Sequence, residues 1–180
     1  IPQSIFIGID GNFAPWVGTI IGEVSQPILL ITPEGREEET VIRLSRVGFD
    51  NALGYLKGGI NIWIKEGRPI DTVEGVSANE FEKLIKKEKQ LIFDVRKTNE
   101  YNSEHILNSK NTPLDFINIH MNEFLVTTTF YLHCAGGYRS MIAASILKRR
   151  GIHNFFDING GFNEIIKTKI NITQDKTDLN

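Results

Sequence analysis

The stretch "HCAGGYRS", residues 133–140, holds the single cysteine of the chain, Cys134, with Arg139 five positions later. Between them lie Ala135, Gly136, Gly137 and Tyr138, and Ser140 follows. The apolar run "FYL" precedes this stretch and the helical pattern "MIAASILKRRG" follows it. The loop therefore falls at the carboxyl end of a strand, where open α/β sheets bind ligands. Gly136 and Gly137 permit positive φ and let several backbone amides converge as an anion nest. A helix N-terminus adds positive partial charge, and Arg139 adds a full one. Such surroundings suit a thiolate, the nucleophilic form of cysteine. A buried, inert cysteine is the ordinary alternative. The glycines, the arginine and the helix start argue against it.

Two chemistries fit a cysteine, a nest of amides and an arginine. One is cleavage of a phosphate ester or reduction of arsenate. The other is transfer of a sulfane sulfur carried as a cysteine persulfide. Only four residues separate Cys134 from Arg139. A phosphoryl group with three equatorial oxygens needs a wider loop, whereas one terminal sulfur fits a tighter one.

Other candidates stand nearby. Asp94 ends the apolar run "LIFDV" (91–95) and is read as support, bonding loop amides or an arginine. Arg96 is read as an internal ion-pair partner. Ser140 is a natural N-cap. His133 adjoins Cys134, but adjacent strand residues face opposite sides, so it is read as core rather than base. His105 is read as fixing a turn, His120 and His153 as surface residues, and Tyr138 as a wall of the entrance. The four histidines lack metal-ligand spacing, and a single cysteine makes no multi-cysteine zinc site.

These residues need a scaffold, and the chain writes it twice. "PILLITPEGREEETVIRLSRVGF" (27–49) aligns with "FYLHCAGGYRSMIAASILKRRGI" (130–152). "NALGYLKGGINIW" (51–63) aligns with "NFFDINGGFNEI" (154–165), and "IPQSIFIGID" (1–10) with "ILNSKNTPLD" (106–115). Continuously apolar strands alternating with helices imply parallel sheets covered on both faces. The second copy opens with "VSANEFEKLIKKEKQLIFDVRKTNEYNSEH" (76–105), where Ser77 and Glu80 form a capping-box pattern. The first copy lacks such an opening, so a strand from residue 5 would leave an edge unpaired. This favours a fragment of a longer protein. At the loop the first copy reads "ITPEGREEE" (31–39), with Thr32 where the second has cysteine.

Composition narrows the field. The formal net charge is −2 with both signs interspersed, so no electrostatic case exists for a nucleic-acid partner. No apolar run reaches the ~20 residues of a membrane helix. The start lacks a signal-peptide pattern, and one cysteine forms no internal disulfide, which points to a reducing, cytoplasmic compartment.

"CAGGYRS", "DVRKTNEYNSEHI" (94–106) and "NGGF" (159–162) together resemble the rhodanese (sulfurtransferase) family. The resemblance implies an α/β fold of two rhodanese-like units, each a parallel sheet flanked by helices. Residues 1–70 would be a degenerate, N-terminally incomplete unit, 76–168 the unit with the active-loop cysteine, and 169–180 a tail. It implies Cys134 as nucleophile and Ala135, Gly136, Gly137, Tyr138, Arg139 and Ser140 as the persulfide-binding loop, with Asp94, Arg96 and His105 in support. The donors would be thiosulfate or a persulfide, the acceptors cyanide or a thiol. The tandem is similar to the C-terminal half of fusions that begin with a metallo-β-lactamase-like domain. In those, a zinc or iron site lies upstream, and no metal or cofactor is expected in this chain. Glu104, Asn108 and Ile165 depart from the family pattern, touching structure more than chemistry.

Overall fold

The apolar runs at 28–30, 52–55, 91–94, 130–133 and 155–159 all become strands, and the amphipathic runs between them become helices. The computed structural model describes residues 1–174. The chain divides into two compact units, Ile1–Asp71 and Thr72 onward.

The first unit runs α1 (Phe13–Ile21), β1 (Ile28–Leu30), α2 (Glu37–Ser45), β2 (Ala52–Tyr55) and α3 (Gly59–Lys65). β1 and β2 pair in parallel. Ile9, Phe13, Val17, Leu30, Leu44 and Phe49 form its core. The expected strand from residue 5 is absent, and the helix α1 that follows was not anticipated. The aligned strand of the second unit exists by pairing with a strand at 91–94, and among the described residues the first unit has no counterpart to supply that edge. Alternate residues Leu29, Leu53 and Tyr55 stay exposed, so one face of this small sheet is uncovered.

The second unit continues with β3 (Gly75–Ser77), α4 (Ala78–Lys87), β4 (Leu91–Asp94), α5 (Thr98–Ser103), β5 (His105–Ile106) and β6 (Lys110–Asn111). Two short 3₁₀ turns precede β7 (Phe130–His133), α6 (Tyr138–Arg149), β8 (Phe155–Asn159), α7 (Phe162–Ile165) and β9 (Ile172–Thr173). The main sheet has the order β3-β8-β7-β4-β6, every pair parallel. The capping box at Ser77 forms, with the Glu80 amide donating to the Ser77 hydroxyl and Glu80 accepting from the Ser77 amide. That fixes the start of α4, whose Phe81 packs with Ile92, Tyr131 and Ile158. On the opposite face Phe93, Phe124 and Phe130 meet with tilted or edge-on rings, and Phe130 stacks on Phe155. Part of the expected tail belongs to this unit: Ile170 is buried, and β9 pairs antiparallel with β5. Residues 175–180 lie outside the described residues.

Candidate active site

Cys134 is the first residue past β7, at the carboxyl end of the central strand of the five, and it is 1% exposed. The Gly137 amide donates to its sulfur at 3.1 Å. Gly137 sits at φ 105°, a left-handed conformation that starts α6 abruptly and turns its own amide back toward the cysteine. Gly137 is therefore the N-cap, and Ser140, expected there, lies within the first turn. The Ser140 hydroxyl donates to the Gly137 carbonyl at 3.1 Å, and that carbonyl also accepts from the Met141 amide at 3.0 Å. Of the two loop glycines only Gly137 uses positive φ; Gly136 is exposed and does not.

A second turn locks the loop from behind. Gly160 and Gly161 adopt φ of 75° and 56°. The Phe162 amide donates to the Cys134 carbonyl at 2.7 Å, and the Asn163 amide to the Ala135 carbonyl at 2.9 Å. A Cβ on Gly161 would lie 2.3 Å from the Cys134 carbonyl oxygen. Only glycine allows this approach. With those two carbonyls turned into the Gly160–Gly161 turn, their negative ends point away from the sulfur.

Arg139 is committed. Its guanidinium makes two bonds, of 2.5 and 2.8 Å, to the Glu100 carboxylate. The sequence left it between binding a donor anion and bracing loop carbonyls; instead it clamps the loop-bearing helix to α5. Arg139 holds the Glu100 carboxyl below the usual range, mainly through this hydrogen bond. The same bond raises the Arg139 value, and Cys134 adds to the rise. Glu100 was not singled out from sequence. Its signal was the Glu-Tyr pair in "TNEYNSEH".

Asp94 ends β4 with no exposed surface. It accepts from the Arg96 amide at 2.9 Å and from the Arg96 guanidinium at 2.9 and 2.6 Å. Its carboxylate serves Arg96, not loop amides. Arg96 also reaches the Glu104 carbonyl at 2.7 Å and lies 3.8 Å from the centre of the Phe162 ring. His105 bonds the Tyr101 carbonyl at 2.8 Å and stacks on the Tyr101 ring, so it fastens the end of α5. Tyr138 is half-buried at the start of α6, and burial pushes its phenol up.

His133 is fully buried, and burial pushes its pKa below the ordinary histidine value. Its Nδ1 lies 3.2 Å from the Cys134 carbonyl, a bond that assigns the proton to Nδ1. Nε2 has no hydrogen-bond partner and stands 3.8 Å from Asp94. A neutral ring held this way is scaffold. Asp157 on β8 was missed altogether. It is 5% exposed, its Oδ1 has no partner, and burial pushes its carboxyl up to about 6.

Among the described residues no group of His, Cys, Asp or Glu could hold a metal ion. Among the same described residues no helix is long and apolar enough to cross a membrane. A cavity of about 590 Å³ exists elsewhere, between the end of α4 and the segment leading to β9, lined by Lys86, Leu107 and Ile170 among others. Cys134, its loop, Asp94, Arg96, Glu100 and Asp157 do not line it, so chemistry rather than volume locates the site.

A family model for the rhodanese-like domain matches residues 77–168. The chain belongs to the rhodanese-like family. The matched span covers the loop, the Gly160–Gly161 turn and the Asp94–Arg96 pair. Among curated proteins, the uncharacterized protein YqhL of Bacillus subtilis (strain 168) is 35% identical over 74 residues. That alignment takes in 41% of this chain and 59% of the relative's length. A rhodanese-like domain protein from Staphylococcus aureus is 28% identical with a TM-score of 0.50, over 57% of this chain and 100% of its own. A thiosulfate sulfurtransferase from Pseudomonas aeruginosa shares the fold at 20% identity and a TM-score of 0.51, over 89% of this chain and 35% of its own.

Proposed function

We propose that this rhodanese-like chain is a sulfurtransferase that carries a sulfane sulfur on Cys134. The Cys134 thiolate attacks the outer sulfur of thiosulfate or of a persulfide. A sulfur–sulfur bond forms at Cys134, and sulfite or a thiolate leaves with the electron pair of the broken bond. The terminal sulfur, now anionic, lies among loop amides of which Gly137 already points at the cysteine sulfur. A thiophilic acceptor, cyanide or a thiol, then removes it and restores the thiolate. The displacements written this way need no cofactor from this chain.

The observation that carries the reading is the closed four-residue loop, drawn tight by the Gly137 amide on Cys134 and pinned by the Gly161 turn. Arg139, already neutralised by Glu100, is less available for a dianionic phosphoryl group than a phosphatase or an arsenate reductase needs. The fold shared with a thiosulfate sulfurtransferase adds support. Mass spectrometry after incubation with thiosulfate is expected to find Cys134 heavier by one sulfur. Absence of that adduct in fully reduced protein, or Cys134-dependent turnover of an aryl phosphate, overturns the reading.

A second reading has its own observation. In the first unit the Gly58–Gly59 turn approaches Thr32 as Gly160–Gly161 approaches Cys134, which supports a degenerate rhodanese-like copy. The exposed face of its strand pair, with Leu29 at 75% and Leu53 at 65%, is suited to cover by further α/β structure. On this reading the chain is a persulfide-holding module for an upstream metallo-β-lactamase-like domain with zinc or iron, in a reducing cytoplasm. It expects one sulfur loaded per chain and no turnover with cyanide. The enzyme reading expects many turnovers.

A further inference from the structure

The chemistry at Cys134 leaves the cavity of the second unit without a task. It measures about 590 Å³, within the range of small-molecule sites. It lies at the other end of the sheet from the thiol. Gln90 and Ile92 line it at the amino end of β4, whereas Cys134 follows the carboxyl end of β7. In register, Leu91 faces Phe130 at the cavity's end of the strands, and Asp94 faces His133 at the thiol's end. About 10 Å of strand therefore separates the two places.

The lining has two parts. Its floor is aliphatic, made by Ile85, Ile92, Leu107 and Ile170. Ile92 and Ile170 belong to the core of this unit, Ile85 packs on it, and Leu107 is 44% exposed. Its rim is cationic, with Lys86, Lys87, Lys89 and Lys169 against Glu82 and Glu88. The Glu82 carboxylate is already engaged, by the Lys86 amine and by the Lys169 backbone amide. Among the described residues Lys87, Lys89 and Lys169 form no ion pair, and all three are exposed. Asn108 also lines the cavity and holds a left-handed backbone, φ 68°. Glycine would carry less strain there, but it would take a side-chain amide from the wall.

This lining selects a class of ligand. Unpaired lysines around an aliphatic hollow suit an anion with an aliphatic body. Among the described residues neither an aromatic ring nor an arginine lines the cavity. A nucleobase finds no ring to stack on, and a phosphate finds no guanidinium fork. The helix end at the rim is the carboxyl end of α4, with Lys86 and Lys87 in its last turn. Its carbonyls disfavour a dianion, which helix amino ends bind instead. A monoanion with its charge at one tip meets both conditions.

We propose that this cavity is a second binding site, for a medium-chain aliphatic carboxylate. The chain lies on Ile85, Ile92, Leu107 and Ile170, and the carboxylate sits among Lys87, Lys89 and Lys169. The site is independent of sulfur transfer at Cys134 and is tested without it.

The test titrates the full chain with sodium octanoate and follows backbone amides by two-dimensional NMR. Octanoate is expected to bind saturably and to shift the amides of Leu107, Asn108, Lys169 and Ile170, leaving those of residues 134–140 in place. Butyrate, four methylenes shorter, should bind about thirtyfold more weakly or worse. The neutral 1-octanol should bind about tenfold more weakly than octanoate. Octanoate should lose about the same factor on the chain carrying both Lys89→Gln and Lys169→Gln. Asn108→Gly should weaken octanoate by about threefold, one modest hydrogen bond, while its urea midpoint holds or rises. Lys89, Lys169 and Asn108 are exposed, so these variants keep the fold. Equal affinity for butyrate and octanoate overturns the proposal, as does equal affinity for octanol. Inorganic phosphate shifting the same amides as tightly as octanoate overturns it too. So do octanoate shifts scattered over both units, or none up to the millimolar range.

Discussion

After β1 the chain turns through Thr32, Pro33, Glu34 and Gly35; after β7 it turns through Cys134, Ala135, Gly136 and Gly137. Gly35 and Gly137 both take positive φ, 82° and 105°. Behind each loop stands a glycine pair, with φ of 78° and 58° at Gly58–Gly59 and 75° and 56° at Gly160–Gly161. A Cβ on Gly59 would lie 2.4 Å from the Thr32 carbonyl oxygen, as one on Gly161 would lie 2.3 Å from that of Cys134. The backbone device is the same in both units, and the chemistry is not. Pro33 has no N–H where Ala135 offers one. Glu37, Glu38 and Glu39 crowd the helix start that in the second unit faces the thiol with Tyr138, Arg139 and Ser140. Three carboxylates already occupy the field of that helix end and repel any anion. Backbone and side-chain chemistry are therefore separable: a left-handed glycine before the helix and a glycine pair behind the loop occur in both units, whereas the cysteine and the Ala135 amide occur only in the second.

Substitutions can break this comparison or sharpen it. The largest effect is expected for Cys134→Ser, which should abolish sulfur loading in the mass spectrum. Adding Thr32→Cys to that variant should not restore it, because Pro33 and the three glutamates remain. Restored loading would show that the first loop lacked only its thiol. Next comes Gly161→Ala, expected to cost about 3 kcal/mol or more by urea unfolding, since left-handed strain adds to a backbone clash. Gly59→Ala should cost a similar amount in the first unit. A near-neutral Gly59→Ala would mean that the two turns are alike only in φ.

Asp157 is a buried carboxyl with an unpartnered oxygen, and its removal should stabilise. Its folded-state carboxyl lies above the unfolded value, so the folded chain holds the extra proton and stability falls as pH rises from 3.8 to about 6. Asp157→Asn should be the more stable protein by about 2 kcal/mol at about pH 7.5, with the advantage fading in acid. Equal denaturation midpoints at both pH values would contradict this. The smallest effect is expected for Glu100→Gln, which should lower kcat/KM by about tenfold by releasing Arg139. Glu100 is held below its usual range, so its contribution is present above the unfolded value and is lost as pH falls through the folded one. Glu100→Gln should lack that acid-side loss in a kcat/KM profile.

Much of the second unit was legible because its signals are local. A capping box, apolar runs of strand length and a glycine stop each act within a few residues, and Ser77, β7 and α6 follow from them. The cysteine loop was legible because its residue types are rare in combination. What escaped depended on contacts distant along the chain. Glu100 meets Arg139 only after β4 and β7 pair, and the bond between them has no sequence periodicity. Asp157 reads as one polar residue in an apolar strand, and only the packing of the sheet buries its carboxyl. Ser140 was misplaced as N-cap because a serine side chain is a better capper than glycine, yet here the left-handed backbone of Gly137 sets the helix start. The missing strand near residue 5 failed for another reason: an extended segment needs an edge to join.

The carbonyls of Cys134 and Ala135 are held by the amides of Phe162 and Asn163, and those residues leave the ribosome later than the loop they fasten. During synthesis the thiol is made early and seated late. A nascent chain that has reached the end of α6 carries a cysteine on a loop with no backing, open to solvent and to oxidants. Emergence of β8 and the glycine pair closes the loop and buries the sulfur in the same event. A truncated product ending before Gly160 would lack the amides that hold both carbonyls.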